Sequence, residues 1–158
     1  MTLHRRTHER IPQIGGARVA LIVARFYEDL AEQLEDGARR ALAACGVRPD
    51  DIVTYGVPGC FELPLASKLA LDAGFDACVA LGVVIRGDTP HFDYVAGECA
   101  RGIMDVQLAA GKPIGFGVLT TDTRAQAEER ADPERGDKGF EAALAAATIT
   151  AFRQGVAR

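Results

Sequence analysis

Tryptophan is absent from the chain, and phenylalanine and tyrosine together reach only 6% of it. An interior without large rings has to be aliphatic, with Ala and Gly allowing close approach of the backbone. Only three histidines occur, and two of them, His4 and His8, fall in the first ten residues. The four cysteines, Cys45, Cys60, Cys78 and Cys99, lie far apart. That leaves no CxxC pair and no zinc-finger spacing, so buried free thiols in a reducing compartment are expected. No apolar run reaches eighteen residues, which argues against a membrane span and a membrane partner. GxGxxG, GxxxxGK[ST] and HExxH are all missing, so no dinucleotide, P-loop or zinc-protease chemistry is signalled, and neither a cofactor nor a metal is expected. A net charge of −4 argues against a general nucleic-acid partner. The opening stretch, MTLHRRTHERIPQIGG, is polar and basic and has no signal-peptide core. The expectation is a cytoplasmic protein with an N-terminal arm over residues 1–14 and one domain over 15–158.

What is present fits one globular unit. The 158 residues are 48% hydrophobic and 25% charged, which excludes disorder. A chain of this size buries roughly 70% of its unfolded surface. Ala17–Ala24 reads as a strand buried on both faces. Leu30, Leu34, Ala38, Ala41 and Leu42 then repeat at helical steps over Glu28–Cys45, and Gly46 ends that helix. A turn at Pro49-Asp50-Asp51 precedes a strand at Ile52–Val57. A helix over Phe61–Ala73 follows, with Pro64 tolerated in its first turn. Asp76–Ile85 is the longest apolar run and so the expected central strand. Thr89 is expected as N-cap and Pro90 as first residue of a helix to Ala110, stopped by Gly111. Pro113–Leu119 is a fourth strand, Arg124–Arg130 a short helix, and Lys138–Arg153 the last one. Strands alternating with helices, with no hairpin signal, predict an open α/β sandwich: a four-stranded parallel sheet with helices on both faces. Ligands of such sheets sit at the carboxyl ends of the strands.

Four loops reach that edge, at Arg25–Tyr27, Pro58–Glu62, Arg86–His91 and Thr120–Thr123. His91 is the one histidine inside the fold, and imidazole is well suited to moving protons near neutral pH. A first-turn histidine can equally well pack or face solvent. The Gly87-Asp88-Thr89 loop offers amides and a hydroxyl to an anion at a helix N-terminus. Phe61 can stack on a planar ring. Glu62 can accept bonds from hydroxyl or ring N–H groups, or simply complement a helix dipole. Cys60 lacks the partners of a cysteine nucleophile.

Gly82 to Val95 (GVVIRGDTPHFDYV) resembles the signature of the 6,7-dimethyl-8-ribityllumazine synthases, which act late in riboflavin synthesis. Ala24-Arg25-Phe26, Val57 to Pro64, Pro113 to Thr121, Gln126 to Arg130 and Lys138-Gly139 agree in order and spacing, so the resemblance spans about residues 15 to 155. It implies a three-layer, flavodoxin-like fold. It also implies a reaction that joins 5-amino-6-(D-ribitylamino)uracil to 3,4-dihydroxy-2-butanone 4-phosphate, with loss of phosphate and ring closure. Carried over by motif, Phe26 is implied to stack on the pyrimidine. Cys60, Phe61 and Glu62 are implied to hold the ribityl chain, and the backbone of Val83, Val84 and Ile85 to read the pyrimidine edge. Asp88 and Thr89 then meet the phosphate, and His91 transfers protons. Phe116 and Arg130 are implied to come from an adjacent subunit, with Arg130 and Lys138 at the phosphate pocket. The family assembles as a homopentamer, in some members as a sixty-subunit shell, and the short span from Arg130 to Lys138 favours the shell. The basic arm is expected to join a neighbour's sheet edge. Three positions depart from the family's habit: Tyr27 replaces a small polar residue, Cys60 an Ala, and Asp137 an Asn. The last adds a negative charge near an anion site. A lumazine- or flavin-binding protein with little turnover is the competing reading, and the presence of His91, Thr89 and Arg130 favours the enzyme.

Overall fold

The computed structural model describes residues 11–157. The apolar runs become strands and the helical repeats become helices, in the order β1 (Val19–Ala24), α1 (Glu28–Ala44), β2 (Ile52–Val57), α2 (Leu63–Asp72), β3 (Ala77–Ile85), α3 (His91–Ala110), β4 (Ile114–Thr121), α4 (Arg124–Ala131) and α5 (Lys138–Val156). All strand pairs are parallel, in the order β2-β1-β3-β4. The chain therefore moves outward from β1 to β2, returns to place β3 on the other side of β1, and continues to β4. This reversal opens a crevice above the carboxyl ends of β1 and β3.

The period-two alternation of side chains sorts the core into two layers. Val19, Leu21, Val23, Val79 and Leu81 face one way, against Leu30, Leu34 and Leu42 of α1 and Ala143, Ala146 and Ala147 of α5. Ala20, Ile22, Cys78 and Ala80 face the other, against Leu63 and Leu71 of α2 and Cys99 and Ile103 of α3. This is the expected three-layer α/β sandwich. Small residues set the layer spacing. A Cβ on Gly139 would lie 2.1 Å from the Leu34 carbonyl oxygen, and one on Gly115 would lie 2.2 Å from that of Ala142. These two glycines let α5 close down on both α1 and β4.

β1 begins at Val19 and α5 runs on to Val156, and three boundaries at the strand ends also differ from expectation. Pro90 is the cap residue of α3 and His91 its first residue. The Thr89 hydroxyl accepts the His91 amide at 3.4 Å, so the hydrogen-bonded helix begins after the proline rather than with it. Cys60–Glu62 form a single 3-10 turn ahead of α2. β4 continues through Thr120 and Thr121, which pair with Val84 and Ile85. The expected arm falls mostly on residues 1–10, outside the described range. Ile14, at its inner end, is buried, and its amide bonds to the Cys45 carbonyl at 2.9 Å.

Candidate active site

The expected site residues fall in two places on one chain. The first is the crevice at the strand ends. Phe26 follows β1 and is 75% exposed, with its ring edge-on to Tyr27 at 4.9 Å. Phe61, in the turn after β2, is 61% exposed. Apolar rings left this open cost hydration free energy unless something covers them. Glu62 is also exposed.

Cys60 lies beneath them. Its Sγ occupies the space over Gly82, where a Cβ would come within 2.5 Å of the sulfur. Burial, with Cys99 and Glu62 nearby, pushes the Cys60 thiol up to about 12. It stays protonated at neutral pH, which removes it as a nucleophile. The other three cysteines are likewise buried free thiols.

β3 ends with Val83 and Val84 buried and Ile85 half-buried. Beyond it the amides of Gly87, Asp88 and Thr89 have no protein acceptor among the described residues. Together with the positive end of α3, they form a set of donors suited to an anion. Asp88, Thr89 and His91 are all exposed here. Sequence reasoning passed over Arg86. Its side chain braces this loop, donating to Asp122 at 2.8 Å and to Asp93 at 3.5 Å while lying 4.4 Å over the Phe92 ring.

The second place is the outer edge of β4. Phe116, Thr120, Arg130, Lys138, Glu141 and Ala142 are among the residues lining an open groove of about 420 Å³. Phe116 is 46% exposed although it sits mid-strand, because β4 is the edge strand of the sheet among the described residues. Arg130 is anchored by a bond from its NH1 to the Gln126 carbonyl at 3.1 Å. Lys138 pairs with Glu141 at 2.8 Å. The groove thus presents two cations and one carboxylate.

Asp137, just before Lys138, turns its charge elsewhere. Its backbone is left-handed, with φ of 48° and ψ of 44°, a conformation that Asp and Asn tolerate better than most residues. The Arg40 guanidinium of α1 grips both its oxygens, at 2.7 and 3.2 Å. The negative charge expected beside the anion site is therefore met from the α1 side.

The family model described as 6,7-dimethyl-8-ribityllumazine synthase matches residues 16–154. A relative named 6,7-dimethyl-8-ribityllumazine synthase, from Xanthobacter autotrophicus (strain ATCC BAA-1158 / Py2), is 50% identical over 147 residues. The match covers 89% of this chain and 87% of that protein. With nearly the whole fold matched, both crevice and groove included, the chain belongs to the 6,7-dimethyl-8-ribityllumazine synthase family.

Proposed function

We propose that the crevice of one subunit and the β4 groove of the next form one site. There 5-amino-6-(D-ribitylamino)uracil and 3,4-dihydroxy-2-butanone 4-phosphate condense to 6,7-dimethyl-8-ribityllumazine, phosphate and water. The observation that carries this is that each chain presents two incomplete halves. The crevice has exposed rings and amides with no protein acceptor among the described residues, whereas the groove has a further ring, Phe116, and the two cations, Arg130 and Lys138.

In this reading Phe26 stacks on the pyrimidine, and the backbone of Val83 to Ile85 reads its edge. Cys60, Phe61 and Glu62 hold the ribityl chain, with Phe116 closing the pocket from the neighbour. Thr89 and the loop amides, with Asp88 beside them, meet the phosphate, and Arg130 and Lys138 complete its binding. The primary amine of the pyrimidine attacks the ketone to give an imine and a first water. Loss of a proton and of phosphate leaves an enol that tautomerises to a second carbonyl, and the ribitylamino nitrogen closes the ring on it with loss of a second water. His91 moves the protons. Holding two reactants in one pocket supplies most of the acceleration, because a bimolecular encounter becomes effectively unimolecular.

A head-to-tail contact of crevice on β4 edge that closes on itself gives a ring, and the proposal is a homopentamer, with twelve such rings packing into a sixty-subunit shell. The test mixes purified full-length protein with both substrates and follows lumazine fluorescence. Product formed faster than in buffer supports the reading. Tight binding of the lumazine without turnover would favour a carrier instead.

A further inference from the structure

Phe26 sits on a connection of only three residues, Arg25–Tyr27, between β1 and α1. Among the described residues its exposed ring receives one aromatic contact, from Tyr27. Something other than core packing has to fix where that ring is presented. The preceding residue supplies it. The sheet ladder runs one step beyond β1, with the Arg25 amide bonding to the Val57 carbonyl at 2.9 Å. Arg25 therefore keeps the strand's alternation and takes the α1 side, as Val23 does, which leaves Phe26 to the opposite side.

On the α1 side the Arg25 guanidinium is gripped by Glu35 at 3.0 Å, with Glu28 adding a contact at 3.3 Å. Glu35 is engaged at both oxygens. Its second oxygen accepts from Arg39 at 3.2 Å and from the Thr54 hydroxyl of β2 at 3.0 Å. Its side chain is 19% exposed, which sets it apart from the freely solvated pairs on the helix surfaces. Burial alone would raise the Glu35 pKa, but bonds from Thr54, Arg25 and Arg39 outweigh it and hold the carboxyl below its ordinary range. One carboxylate thus ties α1, β2 and the end of β1 together directly behind the exposed ring.

We infer that Glu35, acting through Arg25, is a positioning residue that presets the Phe26 platform for the pyrimidine substrate. The inference rests on the proposed role of Phe26. Neither charged group faces the crevice, so the effect passes through the Arg25–Phe26 backbone. A preset ring loses less freedom when the substrate arrives, and this favours binding of the stacked partner only. The phosphate-bearing substrate, held at the other strand ends, does not depend on it.

The test is steady-state kinetics on the full-length protein, varying each substrate against saturating levels of the other. The variants are Phe26→Ala, Glu35→Gln and the two combined, with Arg25→Lys as a milder alternative that keeps the charge and loses the fork. Glu35→Gln is expected to raise KM for the pyrimidine roughly tenfold, equivalent to about 1.4 kcal/mol of binding. KM for the butanone phosphate should stay within about twofold. In the Phe26→Ala background Glu35→Gln should add nothing, since its route is already cut. Arg25→Lys should shift the same KM in the same direction, and it serves as the readout if Glu35→Gln does not fold. Equal shifts for both substrates, no shift, or full additivity with Phe26→Ala would overturn the positioning role while leaving the platform intact. If Phe26→Ala itself leaves the pyrimidine KM unchanged, the platform reading fails and this inference falls with it.

Discussion

His91 stands exposed at the first position of α3, with its amide bonded to the Thr89 hydroxyl. Little of the fold depends on the imidazole, so its removal separates chemistry from stability. His91→Ala should leave the thermal midpoint and both KM values nearly unchanged and lower kcat by roughly 10- to 100-fold, the low end of general acid–base effects. A variant that retains full kcat from about pH 6 to 8 would remove the proton-transfer role. Arg130 makes the opposite kind of contribution. Its NH1 is tied to the Gln126 carbonyl, and in the proposed site the rest of its fork meets phosphate. Losing a charge-assisted bond costs about 1.5–3 kcal/mol. Arg130→Ala should therefore raise KM for the butanone phosphate by roughly 10- to 150-fold and spare the pyrimidine. An equal effect on the two substrates would contradict the assignment.

Among the elements, α5 is the most constrained, because it must touch α1 and β4 at once. At Gly139 any side chain would meet the Leu34 backbone at 2.1 Å, and backbone cannot swing aside as a flexible side chain can. Gly139→Ala should lower stability by about 1–3 kcal/mol, as overpacked cores do, read as a shift in denaturant midpoint at unchanged slope. Elements of this kind were legible before folding wherever local pattern decides them. β1 and β3 are buried almost throughout, so their apolar runs announce strands. Thr120 and Thr121 gave no such signal, since their place in β4 comes from pairing with Val84 and Ile85 rather than from their own polarity. The site shows the same division. Its motif residues could be placed on strand ends from the order of segments alone, and the family resemblance supplied their roles. The Glu35 clamp was invisible, because Arg25, Arg39 and Thr54 converge only after α1 crosses the sheet. Asp137 was visible as a departure, but its partner Arg40 lies 97 residues away in sequence.

At the scale of the whole molecule, the surface carries more apolar area than a solitary chain would favour. Met104 and Leu108 of α3 and Ile149, Phe152 and Val156 of α5 are all exposed, and they line a second groove of about 350 Å³. With Phe116 exposed on the sheet edge as well, association with further copies is the physical expectation. Sedimentation of native protein should give a species near five or near sixty times the chain mass of 16.8 kDa, and a stable, active monomer would contradict a shared site. The separation of crevice from β4 edge on each chain also has a genetic consequence. A lesion at His91 and a lesion at Arg130 disable different halves, so each crippled subunit still carries what the other lacks. In rings reassembled from an equal mixture of the two variants, about one interface in four pairs an intact crevice with an intact edge, as random placement around a closed ring requires. With the butanone phosphate well below its KM, where both variants are slow alone, the mixture should recover about a quarter of the wild-type rate, which is intersubunit complementation from a single gene product.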